Sequence, residues 1–208
     1  MKQCLICTVL LFLTLCIYSV PKANVDSDRC IYDLTYEVQQ YYVHQTRERR
    51  HNIVVEFMER LAHLESSGRY NVVNGSYYGK YQFGYLAFAD LGYTDINTSH
   101  FLNDPDLQNS MLIDWITVLD SRYLHTVIDE YSGTIVNDIY VTQFGILAAA
   151  HLGGSASVRR YFNSNGTIIF RDGNNTSIER YLKEFEDLDM YVPLSTIDTQ
   201  LILQKING

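Results

Sequence analysis

Glu65 is the residue of this chain best placed to move a proton. Val54, Met58, Leu61 and Glu65 follow one another at steps of four, three and four, so they share one stripe on a helix, with Phe57 and Leu64 beside it. Ser66-Ser67-Gly68 then supplies a helix stop. Two effects are expected to disfavour the charged form of Glu65: desolvation at the end of an apolar stripe, and the negative end of the helix dipole. A carboxylic acid kept protonated in this way can protonate a leaving oxygen, as glycosidic cleavage requires. The alternative, from position alone, is a Glu that turns to solvent where its helix ends.

The elements that must position Glu65 follow from local pattern. A helical pattern covers Asp28 to Glu65, with a break expected near Arg47 to His51, where the Arg47-Glu48-Arg49-Arg50 cluster suits a solvated helix end. Between Tyr70 and Gly84 the residue types change to Val, Tyr, Asn and Gly, and Asn74-Gly75 is a tight-turn signal, which predicts a small β-hairpin. Helices are predicted to resume at Tyr85 to Gly92, then from Asp104-Pro105 through Trp115 and Leu119 to about Tyr131. Ile139 to Leu152, stopped by Gly153-Gly154, is the most apolar helix candidate. Val158 to Phe162 predicts a short helix, Phe170 to Asn175 a turn, and Thr176 to Leu188 an amphipathic helix with Ile178, Tyr181, Leu182 and Phe185 inward. Pro193 onward reads as a peripheral tail. The expected fold is mainly α (α+β), several helices with one hairpin.

Three segments together carry a resemblance: Glu65-Ser66-Ser67-Gly68, Tyr78-Gly79-Lys80-Tyr81-Gln82-Phe83-Gly84, and Ala148-Ala149-Ala150-His151-Leu152-Gly153-Gly154. Together they resemble the three-part pattern of lysozyme-like lytic transglycosylases, in particular a phage-associated and bacterial branch. Tyr85 to Gly92, Phe101 to Pro105 and Asp172 to Ile178 add to the likeness, which spans about Ile53 to Phe185. The resemblance implies a lysozyme-like domain with the hairpin beside the substrate groove. It implies Glu65 as catalytic acid and base, and Gln82 as the groove glutamine that bonds substrate or positions the Glu. His151 falls near the family's groove tyrosine, and the usual Ala-Tyr-Asn element reads Ala150-His151-Leu152 here. Tyr78 and Tyr81 are singled out as sugar-stacking candidates because they adjoin Gln82, within a cluster that includes Tyr70, Tyr77, Tyr85 and Tyr93.

No Asp or Glu occurs from Ser66 to Ala89. A hydrolase of the lysozyme kind uses a second carboxylate, so this absence favours a single-Glu mechanism, which the resemblance implies yields 1,6-anhydro ends. The alternatives are a hydrolytic muramidase or chitinase using Asp90 or Asp104, and a non-catalytic wall-binding or structural module. No cofactor is implied. Asp172-x-Asn174-x-Thr176 has the start of a calcium loop, yet Ser177 stands at the sixth position and Lys183 where a bidentate Glu belongs, so no metal site is expected.

Composition bounds the rest. The chain has 208 residues, 47% of them hydrophobic and 19% charged, with 3 Pro and 12 Gly, a length for one globular domain with a leader and tail. A net charge of -8 argues against a nucleic-acid partner, since phosphate neutralisation needs a basic surface. Residues 1–23 read as a signal peptide, with an uncleaved membrane anchor as the alternative, because the apolar run approaches the roughly 17-residue lower limit of a span. Residues 24–50 then form an N-terminal helical extension, 51–190 the catalytic domain and 191–208 the tail. A secreted, periplasmic or cell-envelope protein acting on peptidoglycan glycan strands is expected. Cys4, Cys7 and Cys16 fall in the leader, so Cys30 is left unpaired after cleavage. Sequons at Asn74, Asn97, Asn165, Asn174 and Asn175 would suit a glycoprotein.

Overall fold

The computed structural model describes residues 27–207, and the expected leader lies outside them. The chain divides between Thr46 and Arg47 into two units. Helix α1 spans Ser27–Ser66. In the first unit its described side chains are exposed, including Tyr36, Tyr41, Tyr42 and Val43. Among the described residues no helix is long and apolar enough to cross a membrane.

The second unit is mainly helical, as expected. Val54, Phe57, Met58, Leu61 and Ala62 of α1 are buried, and the helical stripe read from the sequence is this face. No break occurs at the charge cluster, because the last residues of the chain engage it. Arg47 pairs with Asp198 at 3.0 Å and Glu48 with Lys205 at 3.1 Å. His51 is buried there: its Nδ1 donates to the Arg47 carbonyl at 2.7 Å, so its Nε2 is free to accept the Asp198 amide at 3.2 Å. The segment beyond Pro193 is therefore packed rather than peripheral. It forms a 3-10 turn at Leu194–Thr196 and the closing helix Thr199–Asn207, with Leu194 and Ile202 buried.

Strands β1 (Val73–Asn74) and β2 (Tyr77–Tyr78) form the expected hairpin, with Val73 opposite Tyr78 and Asn74 opposite Tyr77. Its two loop residues are Gly75 and Ser76, and Gly75 takes the left-handed φ of +62° that such a turn requires. Helices α2 (Tyr85–Asp90) and α3 (Thr98–Leu102) follow, then α4 (Pro105–Val118), whose Asp104 cap accepts the Leu107 amide at 2.9 Å. The long helix expected to reach Tyr131 is interrupted by a π-helical turn at Leu119–Leu124 before α5 (His125–Tyr131). That turn buries Asp120, which accepts Gln143 Nε2 at 3.1 Å. Burial pushes the Asp120 carboxyl up, against the lowering effect of that hydrogen bond.

A second hairpin, absent from the sequence reading, pairs β3 (Ile135–Val136) with β4 (Ile139–Tyr140). Asn137 and Asp138 connect it at φ of +50° and +60°, conformations that Asn and Asp tolerate. Helix α6 consequently starts at Gln143, capped by Thr142 Oγ1, and runs to Gly153. All its residues from Gln143 to Ala150 are buried, which makes it the central helix. It packs against α7 (Ser155–Asn163) and α8 (Ile178–Glu184). Gly153 is required where Phe170 and Ile178 approach, since a Cβ would lie 2.7 and 2.9 Å from their carbons.

Candidate active site

Glu65 is the penultimate residue of α1, half-buried where the helix stops. The stop is made by Ser67 and Gly68, at φ of +56° and +78°, whose amides take up the His63 and Ala62 carbonyls. The next side chain, Ser66, is buried and donates to the Lys80 carbonyl at 2.7 Å, which ties the end of α1 to the hairpin segment.

That segment is held from two further directions. Gln108 of α4 accepts the Lys80 amide at 2.7 Å. His151 of α6 meets the Tyr81 carbonyl with Nε2 at 2.7 Å, and because a carbonyl only accepts, Nε2 carries the proton. Three helices thus fix Lys80 and Tyr81, and with them the left-handed backbone of Gln82, φ +50°. The Gln82 amide nitrogen donates to the Gly79 carbonyl at 2.8 Å, so its Oε1 is the end left for a ligand. Gln82 makes no hydrogen bond to Glu65; its contribution to the site is an acceptor.

Tyr181 of α8 closes the arrangement from the other side. Its ring is 4% exposed, and its hydroxyl donates to Glu65 Oε1 at 2.7 Å. Burial first, then the Glu65 carboxylate, pushes that hydroxyl well above the usual tyrosine range, so it remains a proton donor. With Oε1 engaged, Oε2 is the oxygen of Glu65 available to a substrate. Ahead of α8, the Asp172 loop is braced by Asp172 Oδ1, which accepts the Asn174 and Thr176 amides at 2.9 and 2.7 Å.

Between the hairpin tip and the Asp172 loop lies a cavity of about 520 Å³. Glu65, Gln82 and His151 line it together with Asn74, Tyr77, Asp172, Arg180 and Tyr181. Three residues singled out by sequence therefore share one site. Tyr78 and Tyr81 do not line it. Tyr81 is fully buried with its hydroxyl on Asn109 Oδ1 at 2.8 Å, and Tyr78 packs towards Phe88 with ring centroids 6.3 Å apart. Tyr77 lines the cavity instead, because successive strand residues face opposite ways. Asp90 and Asp104 are also elsewhere: Asp90 accepts the Tyr123 hydroxyl at 3.2 Å and Asp104 caps α4.

Sequence reasoning missed Tyr181, Arg180 and Asp172 as site residues. The available signal was Tyr181 itself, a hydroxyl on an otherwise apolar helix face, which needs a buried partner. Comparison with protein-family models, with curated proteins and with solved structures finds no match for the chain.

Proposed function

We propose that this chain is an exported glycosidase that cuts peptidoglycan strands between N-acetylmuramic acid and N-acetylglucosamine, by lytic transglycosylation. The observation that carries this reading is the convergence of Glu65, Gln82 and His151, from three distant segments, on one cavity large enough for sugar rings. Glu65 protonates the glycosidic oxygen as the C1–O bond breaks, and its carboxylate then takes the proton from the C6 hydroxyl, whose oxygen closes on C1. One proton leaves and returns to Glu65, and no water is consumed. Tyr181 positions the acid by holding its other oxygen, and Gln82 Oε1 accepts from a sugar hydroxyl or amide.

One observation favours a second reading. Asp172 brings another carboxylate to the cavity wall, and a carboxylate opposite the acid could activate water for hydrolysis. Bracing of its loop through Oδ1 gives Asp172 a structural use that needs no such role. Mass analysis of products from purified sacculi separates the readings: anhydro ends support transglycosylation, reducing ends lost in Asp172→Asn support hydrolysis, and no products refute both.

A further inference from the structure

A second cavity, of about 180 Å³, lies between the β3–β4 hairpin and the segment that leads to Val192, and it shares no lining residue with the cavity at Glu65. Both of its walls are fixed. On the hairpin side the Gly133 amide donates to the Val141 carbonyl at 2.8 Å and the Val141 amide to the Thr134 carbonyl at 2.9 Å. On the other side Gln143 Oε1 accepts the Val192 amide at 2.8 Å, while its Nε2 donates to the Val192 carbonyl at 2.9 Å. The lining is aromatic and acidic: Tyr140, Tyr191 and Met190 stand there with the exposed carboxylate of Asp189, and no Lys or Arg joins them. Ser132 lines it too, and its Oγ is buried with no hydrogen-bond partner among the described residues. Behind Gln143 is Asp120, which the π-helical turn buries and which makes no ion pair among the described residues. The field of these acids reaches the cavity wall, since burial first, then Asp120 and Asp129, push the Tyr191 hydroxyl up.

We infer that this second cavity receives the ammonium of a lysine side chain carried by a peptide, an inference that stands apart from the glycan-cleaving reading. Size points to one side chain. Sites for whole small molecules begin at roughly 300 Å³, well above this volume, so the occupant is a single group of a larger partner. Charge points to a cation, because Asp189 and the buried acids behind Gln143 meet no positive group and tyrosine rings attract one as well. Arrangement points to an ammonium. Ser132 follows α5, Tyr140 belongs to β4 and Asp189 to the segment before Val192, so the acceptors reach the cavity from three separate stretches of chain. One nitrogen with three donors can serve such a set, Ser132 Oγ included, whereas a planar guanidinium is matched to paired acceptors on one group. The methylene stem of the lysine then packs on Met190 and the tyrosine rings.

The test follows the methyl group of Met190 by NMR in the full chain labelled at methionine, with the fully buried Met58 and Met111 as internal controls. The probes are acetyl-Gly-Lys-Gly-amide, the same peptide with Nε-acetyl-lysine, norleucine or arginine in place of lysine, 1,5-diaminopentane as a free amine, and N-acetylglucosamine. The lysine peptide should move the Met190 signal saturably and leave Met58 and Met111 in place, and acetylation of the amine or its replacement by norleucine should abolish the effect. Asp189→Asn should weaken binding roughly two- to fivefold, as for an exposed ion pair, and Tyr191→Leu by a similar factor for the lost ring. Melting temperatures should stay level, because both side chains are exposed. Equal response to the norleucine peptide makes the cavity a merely apolar cleft and overturns the assignment. So do tighter binding of the arginine peptide or of diaminopentane, saturation by N-acetylglucosamine in place of the lysine peptide, an unmoved Met190 signal, or wild-type affinity in the protein that carries both substitutions.

Discussion

Replacing Tyr181 by Phe removes one oxygen from a site where its loss can be followed in two ways. The ring is 4% exposed, so Phe fills the same space, and what disappears is the 2.7 Å bond to Glu65 Oε1. A hydrogen bond to a charged group contributes about 1.5–3 kcal/mol. Glu65 is only half-buried and can recover water, so about 1–2 kcal/mol is expected at neutral pH. The sign of the pH dependence follows from the raised Tyr181 hydroxyl. In the unfolded chain a tyrosine loses its proton near pH 10, whereas the folded protein keeps this one at higher pH. Folded protein then binds one more proton than unfolded, and stability falls with pH at about 1.4 kcal/mol per unit above pH ~10. The contribution of Tyr181 is therefore complete below pH ~10 and is lost as pH rises towards its folded value. Tyr181→Phe lacks this loss. Wild type should be the more stable protein at pH 7 to 9, and the difference should vanish and reverse about one unit above pH 10. Urea unfolding followed through the single, buried Trp115 measures both arms. A stability difference that stays constant from pH 7 to 11 refutes the Tyr181 to Glu65 bond as its source. Activity on sacculi should fall about tenfold, well short of the loss expected on removing the acid itself.

Glu65→Gln should keep the melting temperature within a few degrees and cut turnover on sacculi by about a hundred- to ten-thousandfold, and near wild-type turnover would defeat the catalytic assignment. Gln82→Ala should lower activity while the fold persists, since the Ser66, Gln108 and His151 anchors of the hairpin remain; level activity would make Gln82 a surface residue of the turn. A glycan on Asn74 would stand on the cavity wall, so Asn74 should be unmodified in active protein, or activity should rise on enzymatic deglycosylation. Intact mass paired with activity before and after treatment decides this, and a fully modified, fully active protein contradicts the hairpin's place in the site.

Legibility in the sequence tracked how far each signal reached along the chain. The buried face of α1 and its stop after Glu65 rest on helical period and two left-handed residues, both local, and both were readable. The second hairpin was not, because Ile139 and Tyr140 are too few residues to distinguish a strand from the start of the apolar helix behind them, and Asn137-Asp138 lacks the glycine that marks most such turns. The π-helical turn escaped notice because one added residue changes the face of everything after it without changing composition. Anchoring of the last helix on Arg47, Glu48 and His51 joins opposite ends of the second unit, which no local pattern reports.

The hairpin explains why a tyrosine-rich segment misled the reading of the site in one respect and guided it in another. Tyr81 and Phe83 are both fully buried, while Gln82 between them is turned by its positive φ towards the cavity. Gly79 must lack a side chain, because a Cβ there would collide with Gln108 and Phe101. Gln108 takes the Lys80 amide and the neighbouring Asn109 takes the Tyr81 hydroxyl, so two adjacent side chains of α4 seat two adjacent residues of the hairpin. Aromatic density that resembles a sugar platform is thus largely foundation, and the ring left to meet a ligand is Tyr77, on the opposite face of its strand from Tyr78. Because the same backbone also receives Ser66 and His151, a change that loosens this foundation moves Gln82 relative to Glu65. Packing residues of the hairpin therefore act on the site through its geometry, without touching substrate.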